Sequence, residues 1–178
     1  MALDLIEKQV IYDGRKVRLE LHHFRDPDSG KRHVRETCVH PGAAVVIAFV
    51  DPQTILLVRS TRHAVGQILV ELPAGTLEKG ENPMNAAGRE LLEETGHLAG
   101  RMKAVGSFFT SPGILSEKMF VFAAYDLEKR RQALDEGEDI EVMQTGLDEA
   151  LNMIQTGGIQ DGKSIAALLM YDRFMRGK

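Results

Sequence analysis

Residues 74–97 read AGTLEKGENPMNAAGRELLEETGH, and this stretch decides the fold. Five carboxylates, Glu78, Glu81, Glu90, Glu93 and Glu94, fall within seventeen positions. On an α-helix Glu90, Glu93 and Glu94 stand at i, i+3 and i+4 and share a face. Met84, Leu91, Leu92 and Thr95 are expected on the opposite, inward side. The helix boundaries are written in. Asn82 can cap the N-terminus, Pro83 suits the first helical position, and Gly96 suits the left-handed position after the last turn. Like charges four residues apart destabilise a bare helix by roughly 0.2–0.5 kcal/mol per pair, and Arg89 offsets only part of that. Most acidic helix faces are simply solvated. Here Gly75 and Gly80 allow tight turns in the preceding loop, and Glu78 and Glu81 lead into the helix. The cluster therefore reads as a hard-oxygen site suited to Mg²⁺ or Mn²⁺.

Around this helix the chain reads as strands. Gly42–Val50 and Thr54–Arg59 are apolar runs joined by Asp51-Pro52-Gln53, which predicts a buried hairpin. Arg59-Ser60-Thr61-Arg62-His63 is expected to leave the sheet. Arg62 reads either as a surface ion pair, worth under about 1 kcal/mol, or as a phosphate clamp beside the acidic site. Val70–Pro73 is a short strand feeding the loop. On the N-terminal side, Lys8–Tyr12, Val17–Phe24 and Lys31–Val39 alternate apolar and polar between turn signals, which predicts an antiparallel meander. Three strands alone bury too little to stand independently, so this meander needs a covering surface. Beyond the helix, Lys103–Thr110 and Lys118–Tyr125 flank the loop 111–117. Residues 135–141 form a second acidic cluster. Helices are expected from Thr145-Gly146-Leu147-Asp148 to Gly157-Gly158 and from about Gly162 to Met175, the latter with Ile165, Leu168, Leu169 and Tyr171–Phe174 inward.

The 178 residues, 43% hydrophobic, suffice for one domain with a real core. A net charge of −4 announces no nucleic-acid surface. The one cysteine, Cys38, excludes an internal disulfide framework and fits a reducing compartment. MALDLIEKQV carries acids where a signal peptide needs a positive, then apolar, segment, and no apolar run approaches a membrane span. A cytoplasmic protein without a membrane partner is expected.

The fixed residues of this stretch carry a resemblance. Gly75, five residues, Glu81, seven residues, then Arg89-Glu90-Leu91-Leu92-Glu93-Glu94-Thr95-Gly96 resembles the Nudix box, G-x5-E-x7-R-E-U-x-E-E-x-G-U. Seven residue types match, which at about one in fifteen each has a chance on the order of 10⁻⁸ per starting point. His97 departs from the bulky apolar residue usual at the last position; a packing change is expected there. The resemblance implies an α/β/α sandwich with a mixed central sheet, carried by residues 1–178 as one Nudix domain: the meander at 1–40 and the core at 41–178. The stretches 70–81, 111–113 and 135–142 resemble the ADP-ribose pyrophosphatase branch, including a proline, Pro112, sixteen residues after Gly96.

That likeness implies Mg²⁺-dependent hydrolysis of the pyrophosphate bond of ADP-ribose or a related nucleoside diphosphate sugar, with Mn²⁺ a possible substitute. The products would be a nucleoside monophosphate and a sugar phosphate. It implies Glu90 and Glu94 as principal metal ligands, completed by the Ala74 carbonyl and Glu138. Glu93, Glu81 and Arg89 would support them. Glu136 matches the general-base position, with Glu138 and Glu141 as rivals. Arg35, Arg62 and Glu117 resemble substrate-binding positions. The branch is homodimeric, its N-terminal sheet helping to close the partner's site. Ser60-Thr61-Arg62 lacks the aromatic residue usual before this arginine, so base stacking is expected from elsewhere, such as Tyr12 or Phe24, and a GDP-mannose-type substrate is the alternative. A nucleotide-sensing protein without turnover is the competing class.

Overall fold

The computed structural model describes residues 3–14, 17–134, 137 and 139–177. The chain divides into two compact units, Met1–Gly42 with Phe109–Lys118, and Ala43–Phe108 with Met119–Lys178.

In the first unit, β1 (Asp4–Asp13), β2 (Arg18–Arg25) and β3 (Arg32–Val39) form an antiparallel sheet in chain order. The expected meander is present, with longer strands. Its second turn follows from local chemistry. The Asp26 carboxylate accepts from the backbone of Asp28 and Ser29 at 2.9 and 3.2 Å, and Gly30 takes a φ of 67° that a side chain would strain. β1 is exposed along its whole length. The loop after Phe109 joins this unit by backbone bonds: Cys38 donates to Ile114 at 2.7 Å, and Ser116 donates to Cys38 at 2.9 Å.

In the second unit, the described residues form β4 (Ala43–Phe49), β5 (Thr54–Arg62), β6 (Gln67–Glu71), β7 (Ala74–Thr76), β8 (His97–Phe109), β9 (Lys118–Lys129) and β10 (Ile140–Gly146). The sheet order is β10-β5-β4-β9-β8, with β6 on β5 and β7 on β4. β4 and β9 run parallel from Ala43↔Met119 to Ala48↔Ala124, which makes the sheet mixed, as expected. Three helices complete the unit: α1 (Pro83–Thr95), α2 (Leu147–Thr156) and α3 (Gly162–Phe174).

β4 explains the layering. Every one of its residues is buried, so alternate side chains must face two different apolar layers. Val45 and Ile47 pack with Leu57, Val121, Ala150, Ala167, Leu168 and Tyr171, the side of α2 and α3. Ala44, Val46 and Ala48 pack with Leu56, Ala86, Ala87, Leu91 and Phe122, the side of α1. This is the helix–sheet–helix arrangement read from the sequence.

Several local expectations change. β4 and β5 pair over only Ala48↔Leu56 and Phe49↔Ile55, because β7 takes the same edge of β4 at Ala43–Val45. The hairpin exists only at its turn. Arg59–Arg62 stays in β5, held by β6 in the register Arg62↔Gln67. Residues 140–146, whose first two lay in the expected acidic loop, are strand β10, pairing with β5 from Ile140↔Ser60 to Gly146↔Thr54. On α1 the packed residues are Ala86, Ala87, Leu91, Glu94 and Thr95, while Met84 is exposed. Two small alanines let the helix lie close to the sheet, and that rotation buries Glu94. On α3 the buried set is Ser164, Ala167, Leu168 and Tyr171, spaced i, i+3, i+4 and i+7, which leaves Leu169 and Phe174 outside.

Leu91 is fully buried on the α1 side of the sheet. Leu91→Ala should lower unfolding stability by about 2–5 kcal/mol in urea titration; a loss under about 1 kcal/mol would contradict this packing.

Candidate active site

The caps of α1 are those its sequence predicts. Asn82 Oδ1 accepts from Met84 N at 2.9 Å, Pro83 opens the helix, and Gly96 takes a φ of 68°. The last turn also has partners that no local signal announces. Residues 130–133 cross the helix end, where Ala133 N donates to the Glu93 carbonyl at 3.0 Å and Arg130 N to that of Gly96 at 2.7 Å. Gln132 Nε2 donates to the Glu94 carbonyl at 2.6 Å. A Cβ on Gly96 would come within 2.8 Å of Gln132 N, so glycine here answers both backbone angle and crowding.

Arg89 organises the carboxylates. Its Nε and Nη2 donate to the two oxygens of Glu81, each at 3.1 Å, a bidentate pair. Its Nη1 donates to Glu90 at 2.8 Å and to Glu93 at 2.9 Å. Glu81 additionally accepts from Glu78 N at 2.9 Å. The Arg89 guanidinium holds the Glu81 carboxyl below its ordinary range, and Glu81 in turn raises the arginine further above its own. One cation thus keeps three like charges together on one helix turn and the loop before it.

The remaining two contacts dock the helix on β7. Glu94 is 6% exposed, and its Oε2 accepts from Ala74 N at 3.0 Å. The Glu90 carboxylate lies against the backbone of Gly75, where any Cβ would overlap it. That cradle is the physical reason for glycine at the head of the motif.

Arg62 is part of a buried charge network. Its Nε and Nη2 donate to the two oxygens of Glu71, both at 2.7 Å. Glu71 is 0% exposed and also contacts Lys163 of α3. Arg62's affinity for its proton is raised, first by the Glu71 hydrogen bond against the cost of burial, and further by the charges of Glu94 and Asp161. Neither a solvated surface pair nor a bare clamp describes it. Sequence alone marks Glu71 as a strand residue and gives no signal for Lys163, because the pairing joins residues 92 positions apart.

Arg35 and Glu117 lie in the first unit. Arg35 is exposed on β3 opposite His22 and donates to the Val34 carbonyl at 3.1 Å. Glu117 accepts from Thr110 Oγ1 at 2.7 Å and stands 3.5 Å from His40 Nδ1. Glu136 and Glu138 lie outside the described residues. Glu141 sits on β10 opposite Arg59, 3.7 Å from its Nε, rather than in a loop. His97 is half-buried, its Nδ1 2.9 Å from the Thr95 carbonyl.

Ala74, Glu90 and Glu94 offer only hard oxygen donors, and the Gly75 cradle admits the Glu90 carboxylate to the strand backbone. This chemistry fits Mg²⁺ or Mn²⁺. Among the described residues no three His, Cys, Asp or Glu side chains group as a metal site. The set expected from the sequence contains only two described side-chain carboxylates, its third being Glu138.

The NUDIX domain model matches residues 39–168. The chain belongs to the Nudix family. It is 38% identical over 165 residues to the ADP-ribose pyrophosphatase of Bacillus subtilis (strain 168), covering 92% of this chain and 89% of that one. It is 39% identical over 165 residues, with the same coverage, to the methanol dehydrogenase activator of Bacillus methanolicus. The GDP-mannose pyrophosphatase of Citrobacter koseri (strain ATCC BAA-895 / CDC 4225-83 / SGSC4696) is 36% identical over 179 residues, covering 93% of each chain. The crystal structure of an ADP compounds hydrolase shares the Nudix fold at a TM-score of 0.87 and 21% identity, covering 99% of this chain and 96% of that chain.

Gly75→Ala should displace the end of a flexible glutamate rather than backbone. Its melting temperature should stay near wild type, while the Mg²⁺ concentration for half-maximal rate rises by about tenfold or more. An unchanged Mg²⁺ dependence would refute the cradle's role.

Proposed function

We propose that this Nudix hydrolase cuts the pyrophosphate bond of ADP-ribose or a related nucleoside diphosphate sugar, releasing a nucleoside monophosphate and a sugar phosphate. The observation that carries the reading is the docking of Glu90 and Glu94 on Ala74–Gly75, with Arg62 close enough to feel the Glu94 charge. An anion-binding guanidinium beside oxygen ligands is what a pyrophosphate bridged to a divalent cation requires. The names of the relatives, ADP-ribose pyrophosphatase and GDP-mannose pyrophosphatase, support the substrate class.

In this reading Glu90, Glu94, the Ala74 carbonyl and Glu138 hold Mg²⁺, or Mn²⁺ in its place. The bound ion supplies neutralisation of the phosphate charge and acidifies water. Arg89, through Glu81 and Glu93, keeps the ligand carboxylates oriented. Arg62 holds a phosphate. Arg35 and Glu117 are the substrate contacts we assign to the first unit. Glu136 is the proposed general base; Glu141, tied to a strand, is the weaker rival.

Residues 1–178 act in this proposal as one Nudix domain and as a homodimer. Leu5, Ile6, Val10, Ile11 and Tyr12 of β1 are about half exposed, a concentration of apolar surface that a second subunit would cover. No described helix is long and apolar enough to cross a membrane, and the single Cys38, unpaired, suits the reducing cytoplasm in which we place the enzyme.

Thr61 in place of a ring keeps GDP-mannose as the alternative substrate. A sensor without turnover is disfavoured by the presence of Arg89, Glu90, Glu93 and Glu94 together. A panel of nucleotide sugars incubated with Mg²⁺ and a coupled phosphatase should show release from one preferred member. In the same assay Glu94→Gln should lower kcat by on the order of 10²-fold or more with the fold intact; retained turnover would remove the metal assignment. Glu136→Gln should cost about 10²–10⁴ in rate with Mg²⁺ affinity little changed. The same pattern in Glu138→Gln instead would move the base by two residues.

A further inference from the structure

Glu71 is a carboxylate with no solvent exposure, and two cations share it. Arg62 occupies both oxygens in bidentate fashion, and Lys163, reaching from α3, contacts Oε2 alongside Arg62 Nη2. Lys163 Nζ also stands 3.0 Å from Asp161 Oδ2. Asp161 is the N-cap of α3, accepting from Ser164 N at 2.9 Å and from the Ser164 hydroxyl at 2.5 Å. The Ser164 hydroxyl accepts from Leu72 N at 2.7 Å. Two residues on, Ala74 N donates to Glu94. The first turn of α3 is thus connected through Glu71 and Leu72 to both the guanidinium and the strand that bears the site.

The charges in this network do different jobs. Asp161 is satisfied by the α3 N-terminus and Ser164. Lys163 sits on the same carboxylate as Arg62 and is itself paired with Asp161, so the network of Arg62, Glu71, Lys163 and Asp161 is balanced in charge. Arg62 is its outward member: its side chain is 42% exposed, against 15% for Lys163. The bidentate pair uses Nε and Nη2, which leaves Arg62 Nη1 outside it.

We propose that Glu71 and Lys163 are positioning residues that fix Arg62 for binding the pyrophosphate of the substrate. This rests on the nucleotide-sugar reading above and extends it to α3, which the carboxylate motif does not reach. Fixing a guanidinium in advance reduces the ordering cost when a phosphate arrives.

The test measures KM and kcat for ADP-ribose by phosphate release and, in parallel, the Kd of inorganic pyrophosphate with Mg²⁺ by calorimetry. The proteins are wild type, Lys163→Met, Lys163→Arg, Arg62→Met and Lys163→Met/Arg62→Met. Lys163→Met should raise both KM and the pyrophosphate Kd on the order of tenfold, with kcat changed far less. Lys163→Arg should restore most of this, and Lys163→Met should add nothing once Arg62 is methionine. Unchanged KM and Kd in Lys163→Met, with only a lower melting temperature, would make the network structural and overturn the proposal. An equal loss with and without Arg62 would also overturn it, since Lys163 would then act directly. If the wild type cleaves no ADP-ribose but the pyrophosphate affinities follow this pattern, the substrate assignment fails and the positioning role stands.

Discussion

The close contact between the C-terminal half of α1 and the backbone of Ala74–Gly75 is the constraint on which the rest depends. Buried carboxylates are costly unless their oxygens find donors. Glu94 finds one in Ala74 N, and Glu90 gains its place only because residue 75 has no side chain. Both contacts need the helix pressed against β7, and β7 is held on β4 by the pairs Ala43↔Thr76 to Val45↔Ala74. The doubly buried β4 therefore fixes the height at which the carboxylates stand. Small residues on both sides of the contact, Ala44, Ala86 and Ala87, make the approach possible.

Concentrating acids on one helical turn works against the helix itself. Arg89 resolves this by touching Glu81, Glu90 and Glu93 at once. The residue is more than a counter-ion. Its planar fork sets the angle between the loop carboxylate Glu81 and the helix carboxylates, which a lysine's point charge would leave free. At the other end of α1, residues 130–133 cap carbonyls that would otherwise be orphaned. The segment just before the late acidic stretch is thereby tied to the helix bearing Glu93 and Glu94.

A second polar system, built around Glu71, runs beside the first. The two touch through the chain itself: Glu71 and Leu72 answer to α3, while Ala74, two residues later, answers to α1. Four consecutive residues, Glu71 to Ala74, thus carry the connection between Arg62 and the carboxylates. Pro73 contributes a carbonyl to Val46 N at 2.9 Å, so the same segment is stitched to the central strand.

The sequence by itself determined whatever depends on near neighbours. Asn82, Pro83 and Gly96 bound α1 because capping is decided within a few residues. The Asp26–Gly30 turn and the fully apolar β4 were legible for the same reason, as was the carboxylate motif, whose spacing is a helical repeat. Tertiary structure decided which way those elements face. Glu94 is buried and Met84 exposed because Ala86 and Ala87 choose the packed side of α1. β4 and β5 part company because β7 takes the β5-facing edge of β4 at Ala43–Val45, a pairing made by a separate strand beyond β6. Arg62 could be read only as a surface charge or a ligand clamp, since the residues that hold it, Glu71 and Lys163, converge by sheet pairing and helix docking. Local chemistry specifies caps, turns and periodicities; long-range burial and hydrogen bonding choose partners, and no short window of sequence contains them.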